Sequence, residues 1–209
     1  MTANSRLPEL LKAERTGRVE LLARSPAETR YWVVVNARLG GLRGWVAAGG
    51  HYVIDEPLEA WIDEAVIARW LASWAAGRGS FPVGTVFVEI GGRDGWLVVS
   101  AAETADILGQ RCLHWSVALD PGEGRWLALP PLGCVLHDGA VVLDPLLGEA
   151  RVAALLRQAL GVLAGLATRL AAGVLAVETK EKRVSLPRSV IQTRAGQVLV
   201  NEWFSVHRK

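Results

Sequence analysis

Cysteine, tyrosine, phenylalanine, methionine and lysine are all scarce in this chain, and several of these scarcities exclude something. Cys112 and Cys134 are the only cysteines. There is no Cys-x-x-Cys and no Cys/His cluster at ligand spacing, so a structural zinc site is not expected. Both sit in apolar, strand-like runs, where a thiol behaves as a small buried hydrophobe; a single bridge between them is the other option. Residues 1–15 carry no apolar leader of the secretory kind. The most apolar stretch, 152–177, is interrupted by Arg157, Gln158 and Arg169, which leaves a run too short to span a bilayer. The expectation is a soluble, cytoplasmic protein that meets no membrane.

Phosphate-cradling loops and nucleophile elbows are also missing. Gly91-Gly92-Arg93-Asp94-Gly95 joins two strand-like runs and opens no helix, unlike a nucleotide-binding loop. No Gly-x-Ser-x-Gly is present. A net charge of +2 is too small for a strongly electropositive protein, and the excess of Arg over Lys follows from genome composition as readily as from guanidinium chemistry. The distribution is nonetheless uneven. Lys180, Lys182, Arg183, Arg188 and Arg194 crowd the C-terminal part, giving a basic segment on a near-neutral body.

What the chain does have is tryptophan, nine in 209 residues against two Tyr and three Phe. A buried indole needs a partner for its N–H, and the residue is favoured where an apolar body meets a wet rim or a flat ligand. The pattern along the chain predicts a short helix over 8–14 and a strand over 18–23. A β-branched strand follows over 31–38, then a glycine-rich loop to residue 50. Residues 57–76 form the clearest helix, with Pro57 at its start, acidic residues in its early part and Gly77 as its stop. Strands over 85–90 and 96–100 flank the glycine turn as a hairpin. A short helix over 102–108 and a strand over 112–119 complete the order β-α-β-β-α-β. That order predicts an α+β fold with an antiparallel sheet and a ferredoxin-like core at 31–119.

A strand over 125–129, a hairpin around Asp138-Gly139, a long apolar helix over 148–172 and a C-terminal β-hairpin follow. The helix is apolar on most sides, so it is either heavily buried or the seam of a homo-oligomer. Two regions are expected, an α+β domain at 1–147 and the helix with its basic hairpin at 148–209, packed on the same body.

Strand alternation then proposes a binding face. Trp32 and Arg38 share one side of the first strand, Phe87 lies on a neighbouring strand, and Trp96 follows Arg93 in the hairpin. In the ferredoxin-like order the first and third strands are central, which sets Trp32 beside Trp96 on the helix-free face. RNA-recognition domains stack bases on aromatics at similar places. Arg93 to Val99 has their order of basic residue, glycine, aromatic and apolar run, but lacks the second aromatic, so no family is assigned. The competing expectation is that later segments cover this face and make the tryptophans core.

The reading is a non-catalytic protein that binds single-stranded nucleic acid, without cofactor or metal. Bases stack on Trp32, Phe87, Trp96 and Trp203, and phosphates meet Arg38, Arg93, Lys180, Lys182, Arg183 and Arg188. Two other classes compete. A structural or assembly subunit would use the same tryptophans as interface anchors. A small metal-dependent nuclease would use Glu178-x-Lys180 with Asp144 as the upstream acid, although a long helix separates these two acids. His114-Trp115-Ser116 is half of the paired motif of two-histidine phosphoesterases, and the second half is missing.

Overall fold

The computed structural model describes residues 5–21, 50–78, 81, 85–105, 108–122, 124–129, 132–137, 140–143, 150–182 and 201–208. Among the described residues there are three α-helices and ten strands, and the strands form one mixed sheet. The helices are α1 (Leu7–Arg15), α2 (Glu64–Ala75) and α3 (Ala150–Ala171). The strands are β1 (Val19–Leu21), β2 (Gly50–Ile54), β3 (Thr85–Gly92), β4 (Gly95–Ala105), β5 (Arg111–Asp120), β6 (Trp126–Ala128), β7 (Leu132–His137), β8 (Ala140–Leu143), β9 (Leu175–Lys182) and β10 (Asn201–Arg208).

The strand order is β1-β6-β5-β4-β3-β2-β10-β9, with β7 joined to β5 and β8 to β7. β5 reaches both β6 and β7 because each takes a different part of it: Ala118 and Leu119 pair with β6, and Cys112 to Trp115 pair with β7. β3, β4 and β5 run antiparallel in sequence. β2 is parallel to β3, β10 is parallel to β2, and β1 is parallel to β6. The sheet is therefore mixed, which corrects the antiparallel expectation.

The ferredoxin-like reading also meets a contradiction. Where a helix was expected over 102–108, β4 continues to Ala105 and pairs residue by residue with β5, ending at Ala105 opposite Arg111. Ala and Glu favour a helix locally, but β5 lies alongside, and ladder pairing overrides a weak propensity. Gly109 turns the chain at φ 76°, a conformation open to glycine. The expected strand over 31–38 lies outside the described residues. β2 begins on Gly50, the end of the expected glycine-rich loop, and runs through residues 51–54, for which no element was expected.

The central strands β3, β4 and β5 alternate between two covered faces. One face packs against α2 and α3: Tyr52, Ile54, Val88, Ile90, Leu97, Val99, Leu113 and Trp115 join Trp70, Trp74, Leu156 and Leu163 in a single core. The long helix thus spends its apolar side chains inside the chain, so its greasiness no longer calls for a dimer seam. Ala153–Ala171 has the length and composition to cross a membrane, yet 61% of that stretch is buried in this core. The other face is smaller. There Phe87, Val98, Ala118 and Trp126 pack under Leu7, Leu10 and Ala13 of α1.

The helix expected over 57–76 divides in two. Leu58–Trp61 is a turn of 3-10 helix, Ile62 is extended, and Asp63 caps α2 by accepting from the N–H groups of Ala65 and Val66 at 2.8 and 3.2 Å. An aspartate able to cap competes with helix continuation. The break also lets α3 close in. A Cβ at Gly165 would lie 2.8 Å from Trp61 Cε3, so only glycine permits this approach. Arg169 of α3 then lies 4.0 Å above the Trp61 ring and donates to the Ala60 carbonyl at 3.1 Å.

Candidate nucleic-acid interface

On the α1 face the polar centre is Glu89, a carboxylate with no solvent exposure on β3. Its Oε1 accepts from the Ser5 hydroxyl at 2.6 Å and meets His51 Nε2 at 2.6 Å. Its Oε2 accepts from the Arg6 backbone N–H at 2.6 Å and from the Trp96 indole N–H at 3.1 Å. A carboxylate offers about four acceptor sites, and here two contacts fall on each oxygen. Beside it, Asp120 accepts from the Arg6 guanidinium at 3.0 Å and from the Gly122 N–H at 2.9 Å. Arg6 also lies 5.4 Å from the centre of the Trp96 ring.

Chemically this cluster is a clasp. A nucleophilic relay needs the imidazole between hydroxyl and carboxylate, whereas Ser5 and His51 both turn to the same oxygen of Glu89. The group ties the start of α1 to β2, β3 and β4. Sequence reasoning missed it, although a signal existed: Val86-Phe87-Val88-Glu89-Ile90 places one acid in an apolar strand, and such a charge is seldom buried without partners.

This clasp decides the fate of the expected stacking face. Phe87 is 1% exposed, and the His51 ring stands edge-on to it at 5.0 Å and 83°. It cannot receive a base in this arrangement, which corrects its assignment as a stacking residue. The physical reason is that α1, an early segment, lies over the face. Trp96 is half-buried: Glu89 takes its N–H, Arg6 takes part of its ring, and its six-membered ring edge lies above Gly91. Arg93 is exposed in the β3–β4 turn, where its backbone N–H donates to Glu59 at 2.7 Å and holds that carboxyl below its ordinary pKa. Trp32 and Arg38 lie outside the described residues, as do Arg183 and Arg188.

Tryptophan as a whole divides in favour of the core. Trp61, Trp70, Trp74, Trp115 and Trp126 are each at most 3% exposed. Trp61 donates to Glu56 at 3.2 Å, and Arg111 lies 4.9 Å above Trp74 while pairing with Glu103. These five rings are unavailable to a ligand or partner.

At the other end of the sheet, three expected site residues come together. β9 and β10 pair antiparallel with Trp203 directly opposite Lys180 and Asn201 opposite Lys182. The same register puts Ser205 opposite Glu178 and Glu202 opposite Glu181. The pairing partner of Glu178 is thus a serine, where a two-acid metal site wants a second carboxylate. Asp144 lies outside the described residues. Among the described residues no group of three or more His, Cys, Asp or Glu is placed to hold a metal ion. His114 stands on β5 opposite Ala102, and burial lowers its pKa. No protein-family model, curated protein or solved structure matches this chain, so the reading rests on its own residues.

Proposed function

We propose that this chain is a non-catalytic protein that binds single-stranded nucleic acid, with the C-terminal β9–β10 ribbon as the contact surface rather than the β3–β4 hairpin. The observation that carries the reading is the register that sets Trp203 opposite Lys180. An indole and an ammonium group at one rung are the two parts a single strand needs: a ring for a base and a cation for a phosphate. Lys182 stands two residues along the same strand, and Arg183 and Arg188 follow it in sequence.

Along the sequence, positive charge gathers in the same part of the chain. Residues 178–209 hold seven Lys and Arg against three Glu, a balance of +4, whereas residues 1–177 hold sixteen against eighteen, a balance of −2. Within β9 and β10 themselves Lys180, Lys182 and Arg208 balance Glu178, Glu181 and Glu202, so the excess comes from Arg183, Arg188, Arg194 and Lys209, outside the described residues; a basic C-terminal sequence suits a polyanion. The rival in which tryptophans anchor an assembly has less support, because five of the nine rings are already core.

Fluorescence anisotropy of a labelled oligothymidylate of about 15 nucleotides tests the proposal. Binding should weaken with salt, and Lys180→Ala with Lys182→Ala should lower the magnitude of the salt slope by about 1 to 1.5. Binding that is unchanged by these substitutions and by Trp203→Ala would remove the ribbon from consideration.

A further inference from the structure

β9 ends the strand path. Among the described residues β10 is its only strand neighbour, and the other side of its eight residues is the end of the described strand order. Such an edge is a template for another strand unless something blunts it. Lysines alone would blunt it by repelling any copy of themselves. The sequence here is Leu-Ala-Val-Glu-Thr-Lys-Glu-Lys, in which charges of both signs alternate. β10 offers these charges no opposite partner at the pairing positions: Glu178, Lys180 and Lys182 stand opposite Ser205, Trp203 and Asn201.

We propose that two copies of this chain join β9 to β9, antiparallel, across a two-fold axis at Thr179, so that Glu178 of each faces Lys180 of the other. Residues of an antiparallel ladder stand in directly opposite pairs. A two-fold axis through such a ladder therefore sets one residue opposite its own copy. Centring on Thr179 gives a threonine pair flanked by two Glu–Lys pairs, and both kinds of cross-strand pair are favourable. Centring on Lys180 sets lysine against lysine. Centring on Glu181 sets glutamate against glutamate and Lys180 against Lys182. The Thr179 register alone satisfies the inner charges without a like-charge rung. An axis perpendicular to the sheet keeps α2 and α3 of both copies on one side and makes the two sheets continuous.

Lys180 serves both this pairing and the nucleic-acid reading, but the measurement here needs no nucleic acid, so the two can fail separately. Sedimentation velocity of the full chain over a micromolar range should give a salt-weakened dimer. Glu178→Lys and Lys180→Glu should each raise the dimer dissociation constant at least about tenfold, equivalent to about 1.4 kcal/mol. The double exchange Glu178→Lys with Lys180→Glu should restore the dimer, since it reverses both pairs together. A second measurement avoids charge changes altogether. In Thr179→Cys the two thiols face each other at a strand-pair distance of about 4.5 to 5.5 Å between Cα atoms, within disulfide reach. Mild oxidation should therefore give a covalent dimer that Lys182→Cys does not give. A monomer at every concentration, a dimer indifferent to the single exchanges, or a double exchange that fails to restore it would each overturn the proposal. In the first case the charges on β9 serve to keep copies apart.

Discussion

The β3–β4 hairpin and the β9–β10 ribbon have similar ingredients and opposite fates. Each brings aromatic and cationic residues to neighbouring strand positions. In the hairpin the aromatic groups are used up inside the molecule: Phe87 is buried and Trp96 gives its N–H to Glu89, while Arg93 stays exposed in the turn. In the ribbon, register sets Lys180 opposite Trp203, Glu178 opposite Ser205 and Lys182 opposite Asn201, with Glu181 opposite Glu202. Composition alone ranks the two regions equally. The hairpin's aromatic groups are committed inside the molecule, because a buried polar group must find its partners internally, whereas a binding group must keep something to offer.

The sharpest way to break this comparison is to remove Glu89. Glu89→Ala deprives Ser5, Arg6, His51 and Trp96 of a shared acceptor that is itself fully buried. Removing one partner of a buried charged network costs about 3 to 5 kcal/mol, and urea unfolding should register a loss of that size. Glu89→Gln keeps the shape and should recover part of it. A loss below about 1 kcal/mol would mean that the clasp does not hold α1.

Phe87→Ala and Trp203→Ala form the next test, a crossed pair. Phe87→Ala opens a cavity under α1 and should cost about 3 to 5 kcal/mol of stability, with oligonucleotide affinity retained below the unfolding transition. Trp203→Ala should do the reverse. It should leave the unfolding midpoint much less affected and weaken oligonucleotide binding by about 1 to 3 kcal/mol, the contribution of one stacked base. If both variants lose stability and neither loses affinity, the ribbon is as much core as the hairpin is, and the distinction between them disappears.

How far these regions could be read from sequence depended on whether the deciding contact was local. The β3–β4 and β7–β8 hairpins, β5, α1 and α3 follow from alternation, helical period and turn residues, which the chain carries within each element. β2 does not, because a five-residue parallel strand has no turn of its own to announce it, and its partners β3 and β10 are distant in sequence. Residues 102–105 misled for the opposite reason: their local preference was clear, and β5 outweighed it. The mixed sheet was equally illegible. β10 enters between β2 and β9, and nothing in residues 201–208 states that direction. Strand material at both ends of the C-terminal part was visible in the sequence, but the meeting of Trp203 with Lys180 depends on register. The covering of Phe87 by α1 depends on Glu89, a single acid whose partners lie more than thirty residues away in Ser5, Arg6 and His51.

A smaller change should improve the ribbon. Glu181 and Glu202 stand directly opposite each other across β9 and β10, and like charges at such positions repel. Glu202→Lys turns that rung into an attractive one. It should raise stability by about 0.2 to 1 kcal/mol in low-salt urea unfolding, with most of the gain lost at high salt. The same substitution adds positive charge next to Trp203 in sequence, so oligonucleotide affinity should rise in parallel. A gain in stability without a gain in affinity would separate the fold of the ribbon from its proposed role.

The smallest expected effect belongs to His114, on neither region but on the strand that joins them to the far side of the sheet. Partial burial disfavours its charged form and lowers its pKa from the ordinary value of about 6.5. Between the lowered value and the ordinary one, the unfolded chain binds the proton more readily than the folded chain does. Stability carried by this residue is therefore complete above about pH 6.5, declines as the pH falls through that value, and stops changing below the lowered pKa of the fold. His114→Asn has no titrating group, so its unfolding free energy should lose this part of the acid slope while matching the parent's slope above neutrality. The surface position of the residue keeps the difference small, and paired urea titrations at pH 5 and pH 8 are the measurement that detects it. A variant whose slope equals the parent's would show that His114 titrates alike in both states. A variant with the steeper acid loss would reverse the sign of the burial argument.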